Sequence, residues 1–152
     1  MHIKKILCPT DFSERSLQAL HYATGFAQAM NAELLMLHVT QPNVALINDA
    51  VPYVPIDPEL IPQCKSQLSA YVKANVPAGI TTAEQVEVGD AAGQIVLQAE
   101  VCGADLIVIG SHGRTGFQRL VLGSTAESVV RHAHCPVLVV KDAQKVLIAE
   151  QK

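Results

Sequence analysis

The residues Leu34, Leu35, Met36 and Leu37 form an apolar block with no polar interruption, and this block constrains the fold most. An amphipathic helix would break such a run every few residues. A half-exposed strand would alternate. A short block that is apolar throughout suits a strand buried on both faces, as in a parallel sheet covered by helices.

The rest of the chain repeats that theme. Residues 3–8 give a first strand ended by Pro9, and Asp11 or Ser13 can cap the helix that follows, with Glu14 at capping-box distance from Asp11. Leu17, Leu20, Ala27 and Met30 recur at helical spacing, and Asn31 is a plausible stop. The second strand is 33–39. Residues 40–58 hold four prolines and no period, which predicts a long loop. Leu60, Ile61, Cys64, Leu68, Tyr71 and Val72 predict a helix over about 58–74. Residues 80–88 end in alternation, with Val86 and Val88 apolar and Gln85 and Glu87 polar, as in a half-exposed edge strand. Asp90 can cap a third helix carrying Ile95, Ala99 and Cys102, and Gly103 ends it. Residues 105–109 form the fourth strand. A fourth helix carries Ala126, Val129, Val130 and Ala133, with Ser124 and Glu127 at capping-box spacing, and a last strand runs over 136–141. Five strands alternating with four helices predict one α/β domain, 1–142, with a polar tail at 143–152.

Between the fourth strand and the fourth helix lies Gly110-Ser-His-Gly113-Arg114-Thr-Gly116, then Gly123-Ser124-Thr125. A strand, a glycine-rich loop and a helix N-terminus make an anion site, because glycine lets the backbone approach a ligand and the first helical N–H groups point at it. The spacing is neither a Walker A loop nor the dinucleotide fingerprint. The alternative is a loop whose glycines serve only turns and helix packing.

Composition narrows the field. The chain of 152 residues has a net charge of −3, so it lacks the basic footprint of a nucleic-acid binder. Charged residues make up 16% and hydrophobic ones 49%, which suits a sheet buried on both faces or a surface covered by a partner. No apolar run approaches the length of a membrane span, and the start has too short an apolar core for a signal peptide. The four cysteines, Cys8, Cys64, Cys102 and Cys135, form no Cys-x-x-Cys pair and read as free thiols within apolar patterns. A cytoplasmic protein is expected. His132 and His134 are two apart and have no second Cys/His cluster, which argues against a metal site.

Four separated segments together resemble the universal stress protein family: Ile6-Leu7-Cys8-Pro9-Thr10-Asp11, His38-Val39, Ala104 through Gly110, and Gly110-x2-Gly113-x9-Gly123-Ser124 with the later Cys135-Pro136-Val137-Leu138-Val139-Val140. The glycine pattern resembles the version found in ATP-binding members. The resemblance implies a Rossmann-like sheet of order 3-2-1-4-5, whose switch point between the first and fourth strands brings Asp11 near Gly110. It implies an ATP site, with Mg²⁺, built from Pro9, Thr10, Asp11, Val39, Ile109, Gly110, His112, Gly113, Arg114, Gly123, Ser124 and Thr125. Asp11 would take a ribose hydroxyl or lie near Mg²⁺, the Val39 backbone would meet the adenine edge, and the glycines would wrap the triphosphate.

Each role has a plainer competitor. Asp11 can be a helix cap, Val39 core, Ser124 an N-cap, and Arg114 and His112 solvent-facing. The function expected is an ATP-binding module of stress response or signalling. A slow ATP hydrolase or phosphotransferase is the second reading, although Asp11 alone offers itself as a catalytic group. A nucleotide-free scaffold is the third. An apolar last strand at a sheet edge would be a liability unless paired, so a homodimer through 136–141, from Pro136 to Lys141, is expected, and the resemblance implies the same contact.

Overall fold

The computed structural model describes residues 2–42, 45–47, 51–53, 57–112 and 122–141. The elements are β1 (Lys5–Pro9), α1 (Glu14–Met30), β2 (Glu33–Thr40), β3 (Ala45–Ile47), β4 (Val51–Tyr53), α2 (Leu60–Asn75), β5 (Thr82–Val88), α3 (Ala91–Cys102), β6 (Leu106–Gly110), α4 (Ser124–His132) and β7 (Val137–Val140). Five strands form one sheet in the order β5-β2-β1-β6-β7, and every pair in it is parallel. Counting only its strands, this is the 3-2-1-4-5 order with four helices.

Side-chain alternation sorts the core onto two faces. Ile6 and Cys8 of β1, with Leu34 and Met36 of β2, pack against Ala19, Leu20 and Ala23 of α1 and Leu68 and Val72 of α2. Leu7, Leu35 and Leu37 turn the other way, onto Ile95 and Ala99 of α3 and Ala126 and Val129 of α4. The Leu34 to Leu37 block is therefore apolar throughout because each residue meets a helix layer. Each such side chain contributes about 1.5–3 kcal/mol by leaving water. At the opposite end from the cleft described below, Asp105 accepts from the amides of Lys4 at 2.8 Å and Lys5 at 3.0 Å, tying the start of β1 to the start of β6.

The expected loop at 40–58 is corrected in part. It contains a two-stranded antiparallel sheet in which Ala45 pairs with Tyr53 and Ile47 with Val51. Strands of three residues are too short to show a period. Pro52 is tolerated because both strands of a two-stranded sheet are edges. α2 starts at Leu60 rather than 58, where the Asp57 carboxylate accepts from the amide of Glu59 at 2.9 Å. β5 lies at one sheet edge, as its alternation predicted, and β7 lies at the other. The tail beyond 141 is outside the described residues.

Candidate functional site

β1 and β6 are neighbours whose connections leave to opposite faces of the sheet, α1 on one and α4 on the other. A crevice opens beyond their carboxyl ends, as at any such switch point. It forms a cleft of about 840 Å³.

The β1 side is a turn built from its own polar side chains. Thr10 N–H makes the last strand bond, to the Leu37 carbonyl at 2.8 Å. Thr10 Oγ1 accepts from Phe12 N–H at 3.0 Å, and Asp11 Oδ1 accepts from Ser13 N–H at 3.0 Å and from the Ser13 hydroxyl at 2.5 Å. Ser13 is the N-cap of α1 and accepts from Ser16 N–H at 3.3 Å. The expected Asp11–Glu14 capping box does not form, because Asp11 braces the cap instead of being it. Ser16 Oγ gives its hydrogen to the Ser13 carbonyl at 2.9 Å, so in the 3.0 Å contact between Ser16 Oγ and Thr10 Oγ1 it is Thr10 that donates. Phe12, between these anchors, has φ 64°, a left-handed conformation that costs a bulky residue about 1–3 kcal/mol. Its ring lies 4.5 Å from that of His38 and meets Tyr71 edge-on at 5.3 Å. Tyr71 Oη is buried close to the Thr10 and Ser16 hydroxyls, yet out of hydrogen-bond geometry with either.

These contacts set the charge on Asp11. Partial burial pushes its carboxyl up. The hydroxyl and amide of Ser13 outweigh that, and hold it below the ordinary carboxylate value. It is the only carboxylate on the cleft wall among the described residues. Cys8, within β1, is fully enclosed, and burial raises its thiol to about 12, so it is no nucleophile.

At the end of β2, residues alternate between neighbours. Glu33 N–H bonds to Lys4, just before β1, and Leu34 N–H to Thr81, just before β5. Val39 belongs to the β1-facing set, but the β1 register ends at Pro9 opposite Leu37. Its main chain thus faces the space β1 has left.

On the β6 side, Gly110 and Gly123 carry no positive φ. A Cβ on Gly110 would sit 3.1 Å from the Arg15 carbonyl oxygen, and one on Gly123 would sit 3.1 Å from that of Ser111 and 3.3 Å from His112 Cα. Close chain crossings therefore account for both glycines. The Gly123 amide donates to the Ser111 carbonyl at 2.6 Å. Gly123 is also the N-cap of α4, with no side-chain cap bond. This corrects the reading of Ser124 as N-cap: Ser124 is the first helical residue, and the Ser124–Glu127 capping box is absent. The first bond within α4 runs from Glu127 N–H to the Gly123 carbonyl at 2.9 Å, so the amides of Ser124, Thr125 and Ala126 have no carbonyl of their own helix to bond. His112 shares its Nδ1 with the Ser111 hydroxyl at 3.0 Å, while its Nε2 is buried with no partner.

Ten of the expected site residues line this one cleft: Pro9, Thr10, Asp11, Val39, Ile109, Gly110, His112, Gly123, Ser124 and Thr125. Gly113 and Arg114 lie outside the described residues. Phe12, Ser16, His38, Cys64, Gln67 and Ile95 also line it, and sequence reasoning did not single them out for the site. Cys64 and Ile95 were legible only as inner faces of helices. The signal for His38 was its place beside Val39 at a strand end. Nothing local marks Phe12 or Gln67.

The cleft has the parts a nucleotide needs. Asp11 is an acceptor for hydroxyls, Val39, Ile95 and Ile109 give apolar wall, and the uncapped α4 N-terminus offers amides to phosphate. No group of three or more His, Cys, Asp or Glu able to hold a metal occurs among the described residues. Mg²⁺ would fit here only as it usually binds nucleotides, through phosphate oxygens and one carboxylate, Asp11. His132 Nδ1 is bonded within its own helix, to the Ser128 carbonyl at 2.9 Å. Among the described residues no helix is long and apolar enough to cross a membrane.

Comparison with known proteins agrees with this architecture. The family model of the universal stress protein family matches residues 2–141. Universal stress protein MJ0531 of Methanocaldococcus jannaschii is 36% identical over 93% of this chain and 84% of its own length. Universal stress protein MJ0577 of the same organism is 33% identical, covering 91% of this chain and 94% of its own. The solved structure of MJ0577 superposes with a TM-score of 0.77 over 95% of this chain and 100% of that one. A universal stress protein solved in complex with cAMP, 26% identical, superposes with a TM-score of 0.64 over 92% of this chain and 98% of its own. The chain belongs to the universal stress protein family.

Proposed function

We propose that this protein binds an adenine nucleotide, ATP with Mg²⁺, in the cleft between β1 and β6, and works as a nucleotide-dependent stress-response or signalling module. One observation carries the reading: α4 opens onto the cleft without a side-chain cap, opposite a carboxylate held in its charged form. Phosphate would lie on the amides of Ser124 and Thr125. Ribose hydroxyls would donate to Asp11, and the base would lie along Val39, its edge on the main chain. Gly113 and Arg114 belong to the same phosphate loop in this reading. A family member solved with cAMP supports an adenine nucleotide as the ligand class.

Binding rather than catalysis fits the cleft better. Asp11, the sole carboxylate on its described wall, has a lowered pKa and already accepts from Ser13, which suits a hydroxyl acceptor and not a general base. Two copies would pair through the β7 edge, where Val137, Leu138 and Val139 are only half-buried in one chain. Four free cysteines suit a reducing compartment such as the cytoplasm.

The test is thermal unfolding with and without ATP and Mg²⁺. Ligand at a hundred times its Kd should stabilise the folded chain by about 2.7 kcal/mol. Asp11→Ala should lose most of that gain. Identical unfolding curves at millimolar ATP would leave the scaffold reading in its place.

A further inference from the structure

The cleft has walls on both faces of the sheet. Val39 and Ile95 belong to the α3–α4 side, and His38, Phe12 and Cys64 to the α1–α2 side. The nucleotide reading uses mainly the first wall. His38 is the polar ring of the second.

Its chemistry is fixed by its neighbours. His38 Nδ1 lies 2.9 Å from the Thr10 carbonyl oxygen. A carbonyl can only accept, so Nδ1 carries the hydrogen. In the neutral ring this leaves Nε2 with a lone pair and no hydrogen, an acceptor only. Phe12, held at φ 64° by the Thr10 and Asp11 turns, packs 4.5 Å from the ring and sets its plane. Nε2 is not among the buried polar atoms lacking a partner, and no described residue bonds to it, so it is open to solvent where the ring lines the cleft. The Val39 main chain, one residue on, faces the same opening.

We propose that His38 is a specificity-determining residue of the cleft: its Nε2 accepts a hydrogen bond from the exocyclic amino group of a 6-aminopurine and disfavours a 6-oxopurine. This rests on the nucleotide reading of the site. An amino group donates to the lone pair. An oxo group presents a second lone pair to it and leaves both unpaired, which is why sites that hydrogen-bond a substrate group reject analogues lacking it.

The test compares ATP with inosine triphosphate, which has an oxo group in place of the amino group and a hydrogen on the adjacent ring nitrogen, by calorimetry with Mg²⁺. The change of the ratio on substituting His38, rather than the ratio itself, reads the contact at the amino position. Wild type should favour ATP by about tenfold or more. His38→Asn keeps an amide donor where Nδ1 stands but removes Nε2. It should cut the ATP preference by about two- to tenfold, the worth of one hydrogen bond, with inosine triphosphate binding little changed. That retained binding also shows the variant is folded. His38→Gln, whose amide reaches the Nε2 position, should restore part of the preference. An unchanged ratio in His38→Asn overturns the assignment while leaving nucleotide binding intact. A wild type that binds both equally does the same. A wild type that binds neither overturns the nucleotide reading and this inference together.

Discussion

α1 and α4 both start beyond the carboxyl ends of neighbouring parallel strands, yet their first turns are finished differently. The α1 end is closed by its own side chains: Ser13 caps it, Asp11 braces Ser13, and Thr10 holds Phe12. The α4 end has a glycine cap and, among the described residues, no side chain on its amides. Orphan amides at a helix end are normally satisfied by a side chain, water or a ligand. The α1 end thus spends its polar groups on rigidity, while α4 keeps donors available to something from outside. A cleft with one preset wall and one wall of helix-end amides is suited to holding an anion in a fixed place.

The comparison can be broken most severely where the two ends touch. Gly110 lies under the first turn of α1, and Gly110→Ala would press a methyl group to 3.1 Å from the Arg15 oxygen. A loss of about 1–3 kcal/mol is expected in urea unfolding, the usual cost of overpacking. Equal stability would mean the α1 turn is more yielding than its hydrogen bonds imply.

Removing the α1 cap comes next. Ser13→Ala should cost about 1 kcal/mol. It should also raise the Asp11 carboxyl, since the Ser13 hydroxyl is the strongest of the groups that hold it down. A carboxyl titration followed by NMR would read both ends of that link. An Asp11 value that stays low in Ser13→Ala would assign the effect to other neighbours.

A smaller, pH-dependent effect belongs to Asp11 itself. Its folded-state pKa is depressed, so its contribution is present above the unfolded value, about pH 4, and lost as pH falls through the folded value. The stability gap between wild type and Asp11→Asn should be flat near neutrality and close below about pH 4. A gap that widens on acidification would reverse the assigned sign. The least effect is expected on the far side of α4. Arg131 meets Glu127 at 2.9 Å, but both are exposed, and Arg131→Ala should change stability by no more than about 0.5 kcal/mol.

Much of the fold was legible because burial is periodic. The Leu34 to Leu37 block, the alternation at Val86 and Val88, and the helical stripes are direct imprints of which neighbours each residue meets. Strand order left no such imprint. It entered only through the family resemblance, since pairing between distant strands depends on the whole sheet. The hairpin at Ala45–Ile47 and Val51–Tyr53 was lost among prolines, each strand being shorter than one readable period. Caps were half legible. Asp11, Ser13, Ser124 and Glu127 have the right residue types, but which of two adjacent residues takes the cap depends on backbone angles that spacing does not encode. The glycines were recognised, but part of their reason was not. Gly110 and Gly123 make room for other backbone segments, a tertiary fact. Phe12 and His38 were missed as cleft residues because an aromatic pair spanning a strand end and a turn has no signature in either segment.

The most direct measurement is calorimetric titration of ATP with Mg²⁺ into the purified wild-type chain, paired with heat denaturation of the same sample to release any nucleotide carried through purification. Nucleotide binding in the cleft requires saturable binding of one ATP per chain, or one equivalent of adenine nucleotide released. The absence of both a heat of binding and released nucleotide would contradict it, and the open end of α4 would then need another acceptor.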